Sequence, residues 1–317
     1  MKFSSVYNVI LFVSFNYCLS TWWTVIVRKK PMLILNNHSK QDIRVISSRN
    51  RKSFHNSQLN FFLEKDDCIA NKKLITISPG GFKGFYLLGI LSYLKENYET
   101  YDFIYSGASA GAWNALFMCY RGNSLTFLKE FLDDSIINCK SIIEIQFLFK
   151  KRLLKMCDTK DFDLSKLFIG VTTFHFFVPK INIYSDFENL EDAINCCIAS
   201  SHIPFITGGM TNTYKNLFSF DGGFSDYPYL SRERALHVSY TMWEKLNNTN
   251  MHNNCIANAA QKCMKNIEKI TKFQEYFSAS KNNFKELFNQ GFHDAYSNRH
   301  ILDNLFDRKV DMGLFLF

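Results

Sequence analysis

Residues 73–111 read KLITISPGGFKGFYLLGILSYLKENYETYDFIYSGASAG, and the fold turns on how this stretch is punctuated. Lys73-Leu74-Ile75-Thr76-Ile77 is a short β-branched run, which predicts a buried strand. Ser78-Pro79-Gly80-Gly81 ends it in a turn. Phe85, Leu87, Leu88, Leu91 and Leu94 then recur at helical spacing, and Phe103-Ile104-Tyr105 runs as a second strand into Gly107. Small residues from Ala110 to about Cys119 predict the next helix. Strand, helix, strand and helix in this order predict an α/β fold: a three-layer α/β/α domain with a mainly parallel central sheet.

Working outward, Phe127, Leu128, Phe131 and Leu132, then Phe147, Leu148, Phe149, Leu153 and Leu154, predict further helices. Short strands are expected at Phe168 to Val171 and at Ile181 to Tyr184. These elements place the main domain at residues 73–235. Residues 236–317, with their Asn, Lys and helical patterns, are expected to form a helical segment packed on it. Residues 31–72 are expected to form a polar tether, of which residues 36–58 are polar and basic with little apolar periodicity. Residues 3–27 carry no charged side chain, and Trp22 and Trp23 precede Arg28-Lys29-Lys30. The run exceeds the ~20 residues a spanning helix needs. It suits a single-pass anchor within residues 1–30, with the basic flank and the domain on the cytosolic side. A cleaved signal peptide followed by secretion, and a buried or surface helix, stay open as alternatives.

The net charge of +8 favours acidic partners. No aromatic-and-basic nucleic-acid signature accompanies it, so a membrane surface is the expected partner and nucleic acid is not. Phenylalanine, 32 of 317 residues, supplies a large core or a lipid-facing surface. The 9 cysteines are scattered without a Cys-x-x-Cys pair, which argues against both a zinc site and a disulfide framework.

Three short motifs carry the chemistry. Gly107-Ala108-Ser109-Ala110-Gly111 is a G-x-S-x-G sequence between an apolar strand and a small-residue helix. A sharp strand-to-helix turn there exposes the serine hydroxyl at a helix N-terminus. The pattern alone arises by chance in roughly one chain of this length in twenty; its strand–helix context makes it informative. The second motif, Pro79-Gly80-Gly81-Phe82-Lys83-Gly84, can aim bare backbone N–H groups at one point, as an oxyanion hole requires. It fails as a Walker A loop because Lys83-Gly84 is followed by Phe85 and not by Ser or Thr. The third, Phe220-Asp221-Gly222-Gly223, suits a loop that presents a carboxylate to another backbone.

In this order, over residues 74–230, the three motifs resemble the patatin-like phospholipase family. Gly89 and Leu91, and Ala199-Ser200-Ser201-His202-Ile203-Pro204, are similar to further stretches of that family. The resemblance implies a lipid acyl ester hydrolase working through an acyl-enzyme, with lipid or phospholipid as substrate and no metal or organic cofactor. It makes Ser109 the nucleophile and Asp221 its base. Gly80, Gly81 and the Ala110 N–H would form the oxyanion hole, and Gly84, Gly107, Gly111, Gly222 and Gly223 the motif glycines. Acyl transfer on the same dyad and an inactive lipid-binding scaffold stay open beside it, as does a triad in which His202 is the base. Pro79 stands where the family usually has its first glycine and has no N–H to give.

Overall fold

The computed structural model describes residues 44–47, 53–54, 69–137, 139, 141–175, 178–225, 227–248 and 283–309. The strands are β1 (Arg44–Ser47), β2 (Ser53–Phe54), β3 (Lys73–Ile77), β4 (Phe103–Gly107), β5 (Leu167–His175), β6 (Val178–Ser185), β7 (Asn212–Tyr214), β8 (Leu217–Phe220) and β9 (Arg234–Val238). The helices are α1 (Gly84–Asn97), α2 (Ala110–Cys119), α3 (Ser124–Phe131), α4 (Asp134–Ile137), α5 (Ile142–Met156), α6 (Leu190–Ser200), α7 (Met242–Asn248), α8 (Phe284–Ser297) and α9 (Arg299–Leu302).

One mixed, mostly parallel sheet runs in the order β2-β1-β6-β5-β4-β3-β9, with the β7–β8 hairpin joined to β5. Strands β9, β3, β4 and β5 are mutually parallel; Gly80 and Gly81 follow the carboxyl end of β3 and Ser109 that of β4, whereas Asp221 follows β8, antiparallel to β5. Alternation along each strand divides the core. Ile75, Ile77, Tyr105, Leu167 and Ile169 pack beneath the helices, while Leu74, Ile104, Phe168 and Ile183 pack with Leu230 on the opposite face.

Helix α1 is buried from Gly84 to Lys95 because α8 covers the side the sheet leaves open. Their backbones touch. A Cβ at Gly89 would strike the Phe288 carbonyl, and one at Gly291 the Tyr86 carbonyl. Side-chain oxygens start the amphipathic helices: Asn123 accepts from Thr126 N, Ser141 from Glu144 N, Asn189 from Asp192 N and Asn283 from Glu286 N.

Three expectations change. Within the expected tether, Arg44–Ser47 pairs in parallel with β6, so part of that polar segment is sheet. Strand β9 spans Arg234–Val238, which places the expected boundary after residue 235 inside a strand; Leu236 and Val238 are buried beside β3. The membrane anchor is overturned. Among the described residues no helix is long and apolar enough to cross a membrane. The longest of them, α5, has 15 residues against the ~20 a span requires. The run at residues 3–27, to which the anchor and its signal-peptide alternative were assigned, lies outside the described residues.

Candidate active site

Ser109 sits between the last residue of β4, Gly107, and the first of α2, Ala110. Its backbone takes φ 55° and ψ −128°, a region that residues other than glycine rarely occupy. Such strain persists only where the surroundings enforce it. Here they do. A Cβ at Gly107 would run into the Gly111 carbonyl, and one at Gly111 into the carbonyl of Ile77 on β3. Strand, helix and neighbouring strand therefore crowd around the serine and turn it out of the chain direction.

Asp221 arrives from the opposite direction along the same strand. Strand β4 runs parallel to β5 and ends with Gly107 opposite Ile169. Strand β8 runs antiparallel to β5, with Ser219 opposite Thr173 and Phe220 opposite Thr172. Both occupy one edge of β5 and approach each other end to end, leaving only Gly170 and Val171 between them. The residue after Phe220 must therefore meet the residues after Gly107. A side chain at Gly222 would strike both the Gly170 carbonyl and Ala108 Cβ, so glycine is required for this closure.

The Ser109 hydroxyl donates to Asp221 Oδ2 at 2.6 Å. The other carboxylate oxygen, Oδ1, accepts from Gly223 N at 2.7 Å, and the Asp221 N–H donates to the His202 carbonyl at 2.7 Å. Ser109 and Asp221 are both buried. Burial pushes the Asp221 carboxyl up to about 6, against the opposing pull of its hydrogen bonds from Ser109 and Gly223. His202 contributes its carbonyl, not its ring, to this arrangement. The ring packs on Phe220, and its Nε2 is buried without a hydrogen-bond partner among the described residues. The serine's acceptor is the carboxylate itself, so the geometry gives the His202 triad no footing.

The glycine-rich motif wraps into a turn in which Gly81 adopts φ 52°. Gly81 and Ala110 line the same cavity as Ser109 and Asp221. Ala110 opens a helix, where N–H groups lack intrahelical acceptors. The Gly80 carbonyl closes the turn by accepting from Lys83 N at 3.0 Å. Gly84 lies so close to Ala110 that a Cβ there would come within 2.7 Å of the alanine's own. Pro79 does more than lack a donor. A Cβ at Gly223 would lie 3.0 Å from Pro79 Cβ, so the proline ring backs the residue whose N–H holds Asp221. The Lys83 ammonium rests 3.9 Å from the centre of the Tyr240 ring. The cavity measures about 90 Å³, and Phe85, Leu88, Ile145 and Phe149 give it apolar walls.

A family model described as patatin-like phospholipase matches residues 75–230, which span all three motifs. Residues 75–230 form a patatin-like phospholipase domain. Among solved structures the chain is similar to the heterodimeric ExoU–SpcU complex of the Pseudomonas aeruginosa type III secretion system. That likeness has 13% identity and a TM-score of 0.33, over 75% of this chain and 53% of that one. It is also similar to VipD from Legionella pneumophila, at 12% identity and a TM-score of 0.36, over 87% of this chain and 73% of that one. The chain thus spans about half the length of the first of these. No curated protein matches it.

The patatin-like domain uses residues that motif reading passed over. Ser200 Oγ accepts the Ser109 N–H at 2.8 Å and donates to the Gly170 carbonyl at 2.7 Å, bracing the strained turn from below. Asn114 Nδ2 donates to the Gly84 carbonyl at 3.0 Å, tying α2 to the glycine loop. Trp113 Nε1 reaches Ser201 Oγ at 3.2 Å. Asn114 did carry a signal: it is an isolated amide within the otherwise apolar run AGAWNALFMC, where a buried polar group needs a partner. Ser200 and Ser201 lay inside a family-like stretch whose local sequence says nothing of what they touch.

Proposed function

We propose that this domain hydrolyses an acyl ester of a lipid, with Ser109 as nucleophile and Asp221 as general base. The observation that carries this reading is the 2.6 Å hydrogen bond from Ser109 Oγ to Asp221 Oδ2. As Oγ bonds to the acyl carbonyl carbon, its proton passes to Oδ2. The N–H groups of Gly81 and Ala110 receive the developing oxyanion, with the start of α2 adding its dipole. Collapse breaks the ester C–O bond, and the departing alcohol takes the proton from Asp221. Water then repeats the sequence on the acyl-enzyme, releasing the fatty acid and restoring Ser109.

The environment of Asp221 fits the task. An ordinary aspartate is a weak base toward a serine hydroxyl, and a carboxyl raised to about 6 is a stronger one that is still mostly ionised at neutral pH. Gly223 and the His202 carbonyl fix its position, so it needs no orienting third residue. The apolar cavity walls suit the hydrocarbon of an acyl chain.

The test pairs labelling with turnover. A fluorophosphonate ester should modify Ser109 of the parent protein and leave Ser109→Ala unlabelled, and only the parent should release fatty acid from phosphatidylcholine. Labelling at another residue, or fatty-acid release by Ser109→Ala, defeats the assignment.

A further inference from the structure

The outer face of α5 differs from its inner one. Ile145 and Phe149 point into the catalytic cavity, and Phe149 packs on Trp113, Phe131 and Phe85. On the other side Ile143, Phe147 and Leu154 are exposed, Phe147 at 69%. Spacings of four and seven place these three on one line along a helix. Lys151 and Lys155 follow on one flank of that line and are exposed, while Lys150 lies on the other, paired with Glu191. Glu144, the acid of this helix, belongs to its first turn, where its N–H is capped by Ser141. An apolar line edged with lysines is the pattern of a helix lying in a lipid interface, with the ammonium groups reaching back to the headgroups.

A second element bordering the cavity repeats the feature. Ser201 and Thr207 line the cavity, and the loop from Ile203 to Met210, which contains Thr207, exposes Phe205 at 61% and Met210 at 69%. Phe205 holds φ 62°, a backbone state unusual for a bulky side chain. Thr207 keeps the loop tight, with its hydroxyl accepting from Ile203 N at 2.7 Å and donating to the Ser201 carbonyl at 2.8 Å. Large apolar side chains fixed outward on two elements that share one cavity are not what water alone would select.

We infer that the outer face of α5, together with the 203–210 loop, is a docking surface for an anionic lipid bilayer. It seats the mouth of the cavity against the membrane. The lysines supply the charge complement to acidic headgroups, and the net charge of +8 draws the molecule to the surface before the side chains insert. The inference rests on the hydrolase reading only for why the cavity should face lipid; binding itself needs no chemistry.

The test uses the full chain and vesicles of phosphatidylcholine, alone or mixed with phosphatidylserine. The parent should co-sediment with the mixed vesicles and less with the pure ones. Phe147→Ser should weaken that binding about tenfold, since most of a phenyl ring no longer leaves water. Lys151→Gln with Lys155→Gln should erase the preference for phosphatidylserine. All these variants should hydrolyse a short water-soluble ester at the parent rate, which also certifies their folding. Equal binding by parent and Phe147→Ser, or no binding by the parent, overturns the inference. So does a dimer of the parent that Phe147→Ser dissolves, because the face would then belong to a second copy. Ser109→Ala separates the two readings: it should bind vesicles like the parent, and retained hydrolysis by it defeats the proposed chemistry while leaving the docking result intact.

Discussion

Titrating the protein against an Asp221→Asn variant isolates the one ionisation on which the proposed chemistry depends. In the folded chain burial raises this carboxyl from 3.8 to about 6. The rise corresponds to about 3 kcal/mol, at 1.36 kcal/mol for each pH unit. Its sign is fixed by linkage. A carboxyl harder to ionise when folded lends stability below its unfolded value, and that stability is lost as pH rises through the folded one. Asparagine has no such ionisation. The stability of the parent minus that of Asp221→Asn should therefore fall by about 3 kcal/mol overall, mostly between about pH 4 and pH 7. Lost or altered hydrogen bonds to Ser109 and Gly223 shift this difference by a constant and leave its slope alone. His202, whose own pKa burial lowers, is present in both proteins and cancels. Denaturant unfolding at a series of pH values measures the difference directly. On the same samples, kcat/KM of the parent should fall about tenfold per pH unit below about pH 6 and level off above it. A stability difference flat in pH, or one growing as pH rises, would refute the buried-base argument, since it would mean that Asp221 ionises in the fold as easily as in water or more so.

Other outcomes follow from single contacts. Ser109→Ala should lower kcat by at least about a thousandfold with little change in unfolding midpoint, measured on a dispersed ester. Asn114→Ala removes the side-chain donor to the Gly84 carbonyl, which keeps its intrahelical bond, and should cost about 0.5–1.5 kcal/mol in denaturant melts, together with a loss in kcat as the glycine loop slackens. Gly111→Ala drives a methyl into the Ile77 carbonyl and should destabilise by about 1–3 kcal/mol or more, visible as a lowered Tm and loss of fluorophosphonate labelling. Pro79→Gly should lower kcat more than it changes KM, because the ring that backs Gly223 is removed; an unchanged kcat would show that Asp221 needs no such backing.

Local reading of the sequence reached the elbow because that unit is local. The strand Phe103–Gly107, the serine and the helix Ala110–Cys119 are contiguous, and the glycines at 107 and 111 mark where backbones must touch. The same holds for Lys73–Ile77 and the glycine turn after it. Helical spacing likewise found the helix around Phe147, Leu148 and Phe149, but periodicity states only that faces differ. Which face meets the core was settled by Trp113 and Phe131 receiving Phe149, which left Phe147 outside. In the expected tether, Arg44–Ser47 carries only the β-branched pair Val45-Ile46 among polar neighbours, too short a run to mark a strand, and it becomes one by pairing with the edge of β6.

The sequence by itself determined the α/β alternation, the strained serine turn and the three motifs, since each is written within a few consecutive residues. The tertiary structure alone decided that Asp221, 112 residues further along, stands 2.6 Å from Ser109. That meeting depends on β4 and β8 taking the same edge of β5 from opposite directions. The physical reason is that strand pairing between distant segments is selected by the packing of the whole sheet, and no local periodicity encodes which edge a strand will join.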